Sequence, residues 1–330
     1  MKKKLGMLGG LVGVSAGLYL LFRNRPEEIK RILPVTQPTS ETVYVAASDG
    51  LPLALTIVQP QGEPKAVVQI IHGILEHRKR YLPIAEFLAN HGFAVVISDN
   101  RGHGDSVNQQ NPLGHMPKVQ RMVDDQVEIT TFIQRKFVCP VYLFGHSFGS
   151  MIARIYLQKH DQMIAKLLLT GTVCYQKQAP VGLAIAAVAN HVVGEEKHSW
   201  IMKKLSGFGS TDRSWLTNDL AELRKVEQDP LMLPGYDNRG TTTVWEANVQ
   251  LNKRKHFKCR QPQLPILSIT GGEDHALTGG TKGLAQTKQF LQSVGYQQVT
   301  MIDLAGMKHE VLNEIDHQDV YQLILNYFNE

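Results

Sequence analysis

Gly145-His146-Ser147-Phe148-Gly149 stands between a short apolar run, residues 141–145, and a helical pattern over Phe148–His160. This is G-x-S-x-G in a strand–turn–helix context, the setting in which the motif carries chemistry. The turn is sharp enough to strain Ser147 and expose its hydroxyl, and Gly145 and Gly149 let strand and helix approach without Cβ clashes. A serine that merely caps the helix is the plainer alternative. A serine nucleophile needs a base, and the base needs an orienting acid. The chain order for this arrangement is serine, acid, histidine, each acting residue following a later strand. After an apolar run at 265–270 comes Gly271-Gly272-Glu273-Asp274-His275, and after a run at 298–304 comes Ala305-Gly306-Met307-Lys308-His309-Glu310. Asp274 is therefore the expected acid and His309 the expected base, with Glu273 and His275 as local rivals. The oxyanion needs two N–H donors. The amide of Phe148 is one, and the amide of Ile74, in the loop His72-Gly73-Ile74-Leu75-Glu76-His77 after the third strand, is the other. His72 itself reads as a structural loop histidine rather than a reacting group.

The elements that must position these residues follow from the hydropathy pattern. Residues 42–47 and 52–58 pattern as a hairpin across Ser48-Asp49-Gly50. Apolar runs at 66–71, 93–98, 141–145, 165–170, 265–270 and 298–304 read as strands, most of them buried on both faces. Between them lie helical patterns at 81–90, 118–137, Phe148–His160, 281–294 and 311–328. Repeated βα units predict a mostly parallel sheet with helices on both faces. The alternation stops between Gly171 and Gln261. That stretch patterns as helical at Ala179–Val193 and 219–226 and as loop at 229–240, and an insertion there lies over the strand ends, as a cap. The helix APVGLAIAAVANHVV is apolar on nearly all sides and is expected to be covered, either as an ordinary buried cap helix or as the wall of an acyl pocket. The expected organisation is residues 1–31 as a basic and apolar segment, 32–171 as the first part of the core, 172–261 as the cap, and 262–330 as the second part of the core.

Several function classes are excluded by composition. The 330 residues are 43% hydrophobic and 20% charged, which suits one large folded domain and not a disordered chain. Three widely spaced cysteines, Cys139, Cys174 and Cys259, form no CxxC pair and read as reduced thiols. The 13 histidines show no metal-ligand spacing, and no glycine-rich phosphate loop follows the first strand, so neither metal nor cofactor is expected. The net charge is +5, and residues 1–31 hold seven bases against two acids; the other 299 residues balance at 28 and 28. A nucleic-acid binder would carry its excess on the folded body. Here the excess flanks residues 5–22, an uncharged stretch of 18 residues. As a helix it would be about 27 Å long, just short of a bilayer's hydrocarbon core of about 30 Å. An uncleaved membrane anchor fits the whole run; a cleaved export signal with a site near Val14-Ser15-Ala16 is the alternative, leaving a secreted or periplasmic enzyme. Gly9, Gly13 and Gly17 offer a weak small-residue face for self-association. Residues 24–41 read as a tether. The basic start set directly against the apolar run leans the catalytic domain toward the outside of the cytoplasm. Two basic stretches, Arg78-Lys79-Arg80 and Lys253 to Arg260, read first as solvated faces, with attraction to anionic headgroups as the sharper alternative.

Taken together, the motifs resemble one family. HGILEH at 72–77 followed by Arg80-Tyr81 resembles the HGxxEHxxRY stretch of monoacylglycerol lipases and related lysophospholipases. Asp99-Asn100-Arg101-Gly102-His103-Gly104-Asp105-Ser106 resembles their D-x-RGHGxS loop, GHSFG their GHSMG, and GMKHEVLNE at 306–314 their RHE-[IL]-x-NE ending. Ser214-Trp215-Leu216 with Asp229-Pro230-Leu231 resembles the cap of the bacterial members. The likeness covers about residues 42–329. It implies an α/β-hydrolase fold and a serine hydrolase acting on carboxylic esters of monoacyl lipids, monoacylglycerol or lysophospholipid. Phe148 departs from the family's Met, and the N-terminal segment lies outside the family pattern. Another α/β-hydrolase chemistry, thioesterase or aminopeptidase, is the runner-up, and Glu195-Glu196 and Glu222 could serve an amine-selective peptidase. A membrane-tethered, non-catalytic binding module is the alternative of a different class.

Overall fold

The computed structural model describes residues 38–207 and 212–330. Its strands are β1 (Thr39–Ala46), β2 (Pro52–Gln59), β3 (Val67–Ile71), β4 (Ala94–Ser98), β5 (Val141–His146), β6 (Lys166–Thr170), β7 (Ile266–Gly271) and β8 (Val299–Leu304). They make one sheet in the order β1-β2-β4-β3-β5-β6-β7-β8. β1 pairs with β2 and β2 with β4 antiparallel; every later pairing is parallel. The helices are α1 (Leu82–Asn90), α2 (Val119–Lys136), α3 (Phe148–His160), α4 (Ala179–Val193), α5 (Trp200–Ser206), α6 (Leu220–Gln228), α7 (Asn238–Gln250), α8 (His275–Thr278), α9 (Gly280–Ser293) and α10 (His317–Asn329).

The continuous apolar strands split their side chains between two cores. Val67 and Ile71 of β3, Leu143 of β5 and Leu167 and Leu169 of β6 join the core under α2 and α3. Val68, Ile70, Phe144 and Leu168 join the opposite core with α1 and α10. Alternation with a period of two sends neighbours to opposite faces, so a strand covered on both faces is apolar throughout. Gln69 is the buried exception in β3. It is satisfied by Gln126 O at 2.9 Å and by the Thr130 hydroxyl, which donates to its Oε1 at 2.7 Å.

Several sequence-based expectations need correction. The tether ends sooner than expected, since residues 39–41 already belong to β1. The last helix begins at His317 and not at 311; Val311–Asn313 is a separate single turn. Glu314, in the gap, accepts the Lys308 amide at 2.7 Å and the Asn218 amide at 3.0 Å, so the break braces the loop that carries His309. Two cap helices, α5 and α7, escape the pattern. In α7 a Gly and three consecutive Thr lower the helical propensity. Burial overrides it: Thr241, Thr242 and Thr243 are all inside, Thr242 and Thr243 donate to the Asn238 and Met116 carbonyls, and Asp237 caps the helix at the Gly240 amide. The described residues cover little of α4, a helix expected to be covered. Only Ala179, Ala186 and Ala189 are buried, the last two in a small cluster with Met202 and Trp245, while Val181, Val188, Val192 and Val193 face outward.

No helix among the described residues is long and apolar enough to cross a membrane. The segment 5–22 with Gly9, Gly13 and Gly17, and the tether up to residue 37, lie outside the described residues. Cys139, Cys174 and Cys259 form no disulfide.

Candidate active site

Ser147 sits between β5 and α3 with φ 52° and ψ −116°. A positive φ on a residue with a Cβ costs about 1–3 kcal/mol. The packing on either side overdetermines it. α3 buries Met151, Ile152, Ile155 and Leu157, each worth about 1.5–3 kcal/mol, and the Ser147 amide donates to Thr170 O on β6 at 3.0 Å. The two glycines are required by close approach: a Cβ on Gly149 would lie 2.1 Å from Ile71 O, and one on Gly145 would lie 2.4 Å from Gly149 O.

Parallel pairing brings the other residues to the same end of the sheet. β7 and β8 stay paired up to Gly271 opposite Leu304, so the loops that follow them meet. His309 Nδ1 lies 2.6 Å from Asp274 Oδ2, with both side chains buried. The rivals Glu273 and His275 are exposed. His309 Nε2 is buried without a hydrogen-bond partner, which leaves this nitrogen to accept a proton. An Nε2–Ser147 bond is absent, as is common before substrate binds.

Beneath the imidazole lies a residue that the sequence reading passed over. A Cβ on Gly171 (φ 51°) would stand 2.8 Å from His309 Cε1. Above it, the Trp215 ring packs against His309 with centroids 5.1 Å apart. Leu216 O accepts the Glu310 amide at 2.7 Å, and the Lys308 ammonium donates to Ser214 O at 2.8 Å. The Ser-Trp-Leu segment of the cap is thus fastened to the base's own loop. The ring of His146, also unremarked in the sequence, packs 5.0 Å from that of His309, and burial, then the nearby His309, hold its pKa well below the ordinary value.

The loop after β3 presses on the nucleophile: a Cβ on Gly73 would stand 3.1 Å from Ser147 Cβ. The amides of Ile74 and Phe148 donate to no other described residue. Leu75, with φ 58°, is with Ser147 one of only two non-glycine residues of positive φ among the described residues. The cap holds it there, since the Leu75 amide donates to the Tyr236 hydroxyl at 2.6 Å and Leu75 O accepts the Leu233 amide at 2.8 Å. His77 joins the cap too, through Asp229 at 2.7 Å.

Glu76 organises this loop from within. It accepts the Gly73 amide at 2.5 Å, the Tyr81 hydroxyl at 2.7 Å and the Arg80 guanidinium at 2.8 Å. Arg80 also reaches Glu310 at 2.6 Å and Glu222 of α6 at 3.2 Å. Burial pushes the Glu76 carboxyl up, whereas Arg80 outweighs burial at Glu310 and holds it at about 2. The basic stretch Arg78-Lys79-Arg80 is therefore not a solvated face: only Lys79 is exposed, and Arg78 is buried against Asp99 and Asp105. His72 accepts the Asn100 amide on Nε2 at 2.9 Å, which makes Nδ1 the donor to Gly73 O at 2.8 Å. Burial lowers its pKa to about 3, so the ring stays neutral and structural. The loop of residues 99–106 is also scaffold: Arg101 pairs with Asp49 and Asp125, and His103 Nε2 lies 2.8 Å from the Tyr236 hydroxyl.

Two antiparallel strands leading into six parallel ones, with a strained serine after β5, is the architecture of the α/β-hydrolases, and the chain is a serine hydrolase of that superfamily. Within it, residues 62–316 match the family model described as serine aminopeptidase, S33, and the chain belongs to that family. It is 27% identical over 306 residues to the monoglyceride lipase of Homo sapiens, covering 89% of this chain and 94% of that one. It is 25% identical over 296 residues to an uncharacterized abhydrolase domain-containing protein of Dictyostelium discoideum, covering 88% of this chain but 29% of that much longer relative. Among solved structures, a thermostable carboxyl esterase from Bacillus coagulans superposes with a TM-score of 0.79 at 23% identity, over 88% of this chain and 98% of that one.

Proposed function

We propose that the chain hydrolyses carboxylic esters of monoacyl lipids, a monoacylglycerol or a lysophospholipid, through an acyl-enzyme on Ser147. The observation that carries this reading is His309, hydrogen-bonded to Asp274 through Nδ1 with Nε2 left unpartnered, in a chain whose one strained serine among the described residues is Ser147. In this mechanism Ser147 Oγ adds to the ester carbonyl and its proton passes to His309 Nε2, while Asp274 holds the Nδ1–H and stabilises the imidazolium. The Ile74 and Phe148 amides bind the oxyanion. Collapse breaks the C–O bond, and the leaving alcohol takes the proton from Nε2. Water then adds to the acyl-enzyme with His309 as base, releasing a fatty acid and regenerating Ser147. The human relative's name supports a glyceride substrate.

The family's descriptor favours a second reading, removal of an amino-terminal residue. That chemistry needs a carboxylate for the free amine. Glu222 is already paired with Arg80 and Lys225, and Glu195 lies 3.9 Å from Arg239, which leaves the exposed Glu196 as the carboxylate such a peptidase would use. The uncharged apolar segment at 5–22, flanked by the bases of residues 1–31, is read as a membrane anchor, with the catalytic domain outside the cytoplasm.

Two measurements test the proposal. A fluorophosphonate probe is expected to label Ser147; an unlabelled serine in folded protein would favour a binding module. A panel of monoacylglycerols, lysophospholipids, acyl thioesters, acetyl esters and aminoacyl anilides separates the substrates. Medium or long monoacyl esters are expected to lead, each buried CH₂ adding about 0.8 kcal/mol. Equal turnover of acetyl esters would remove the lipid assignment, and a lead by aminoacyl anilides would install the peptidase.

A further inference from the structure

A cavity of about 470 Å³ opens between α3, the segment after β6, the end of α7 and α9, and none of Ser147, Asp274 and His309 lines it. Its volume falls in the range of small-molecule sites, about 300–1,000 Å³. Three cations line it, Arg154, Lys177 and Arg254, and no Asp or Glu does. Apolar walls come from Leu251, Phe257 and Phe290.

Arg154 is the unusual member. It lies two turns along α3 from Ser147 and is 4% exposed. Buried guanidinium groups are ordinarily paired with an acid, because desolvating an unpaired charge costs several kcal/mol. Here no carboxylate among the described residues pairs with it. Nε donates to Ser150 O at 2.9 Å, and Nη2 donates to Val173 O at 2.5 Å and, more weakly, to Ser150 Oγ at 3.5 Å. Nη1 has no acceptor among the described residues and is not sealed from open space. Burial brings its pKa down to about 10, so it stays charged at neutral pH. At the rim, Lys177 and Arg254 are exposed, and Arg254 stacks over the Phe290 ring at 5.9 Å. A buried, acid-free cation behind two exposed ones, beside aromatic and aliphatic walls, fits a ligand that brings both a negative charge and an apolar body.

We propose that this cavity binds an amphiphilic organic anion, a carboxylate or phosphate monoester on an apolar chain, with Arg154, Lys177 and Arg254 meeting the charged head. The site is separate from the ester-cleaving centre and does not depend on its chemistry.

Calorimetric titration of the full chain tests this, with octanoate, octyl phosphate, inorganic phosphate and octanol as probes below their micelle concentrations. Titrations are repeated after Ser147 has been phosphonylated, with labelling verified by mass. Octanoate or octyl phosphate is expected to bind saturably before and after labelling, at least tenfold tighter than inorganic phosphate or octanol. The tighter of the two identifies the head group. Arg154→Gln is expected to weaken that binding at least tenfold. The double variant Lys177→Ala/Arg254→Ala, whose changes lie on the exposed rim, is expected to weaken it severalfold and decides the matter if Arg154→Gln fails to fold. Binding abolished by phosphonylation, unchanged in the folded variants, or matched by inorganic phosphate or octanol would overturn the proposal. If Ser147 resists labelling, the ester-hydrolase reading suffers, and the cavity variants are read on unlabelled protein.

Discussion

At the scale of single residues, the site separates groups that react from groups that hold them still. Ser147→Ala is expected to lower ester turnover on the order of 10⁴-fold or more while leaving the melting temperature near that of the parent, because the hydroxyl makes no hydrogen bond to another described residue and the change keeps the Cβ. His309→Ala belongs in the same range, and Asp274→Ala somewhat less, since the acid orients the ring and does not attack. Wild-type-like turnover in Ser147→Ala would end this assignment. Gly171 makes a finer test. Its missing Cβ leaves room for the imidazole, so Gly171→Ala must push His309 aside or pay backbone strain at φ 51°. A displacement of about 1 Å at a catalytic group costs on the order of 10²-fold. The expected signature is a fall in kcat of that size with KM nearly unchanged; a fall in KM-dependent binding alone would argue that the glycine serves the substrate instead.

At the scale of elements, three ion-paired contacts among the described residues join the cap to the core, His77–Asp229, Arg80–Glu222 and His115–Asp237. Arg80 ties the loop after β3, the loop after β8 and α6 into one cluster. Arg80→Met would leave Glu76 and Glu310 buried and facing each other. Removing one partner of a buried pair costs about 3–5 kcal/mol, and a loss of that order is expected in urea unfolding; a change below about 1 kcal/mol would show that the cluster relaxes into solvent. His115, in the loop before α2, meets Asp237 at the start of α7 at 2.6 Å. The hydrogen bond to Asp237 outweighs burial and raises the His115 pKa, with Glu195 and Glu196 adding to the effect. A raised pKa in the folded state means protonation favours folding. This stability is complete below the unfolded value of about 6.5 and is lost as the pH climbs through the folded value. The gap in melting temperature between the parent and His115→Gln is therefore expected to be widest between about pH 5 and 6.5 and to close on the alkaline side. A gap that stayed constant to pH 9 would assign the contact to packing alone.

At the scale of the whole molecule, residues 38–330 form one compact unit, and all the net charge of the chain lies ahead of it. A chain lacking residues 1–31 is expected to stay in the soluble fraction and to keep the specific activity of the full protein, because β1 begins only at Thr39. The full chain is expected in the membrane fraction; its recovery, uncleaved and without detergent, in the supernatant would defeat the anchor. A mature N-terminus at Gly17 would favour a removed export signal instead.

Much of the site is legible in the chain because its logic is local and ordered. G-x-S-x-G reports a backbone turn that depends on residues within five positions, and the order of serine, acid and histidine follows from strands arriving in sequence at one edge of a parallel sheet. Apolar runs mark strands covered on both faces for the same reason. What the chain does not disclose is set by partners far away in sequence. Arg78 and Arg80 read as a solvated charge run because, Glu76 apart, their acids, at 99, 105, 222 and 310, lie up to 230 residues distant. The helix α7 forms against its own propensity because tertiary burial of its threonines outweighs it. Gly171 and Leu75 carry no motif; their roles exist only once β6 passes under His309 and the cap closes on the loop after β3. Likewise Arg154 is one more base in a helix until the fold buries it with no paired carboxylate among the described residues. Local backbone geometry is encoded in short patterns, but charge pairing and steric clearance are properties of three-dimensional neighbours, and only the tertiary structure decides them.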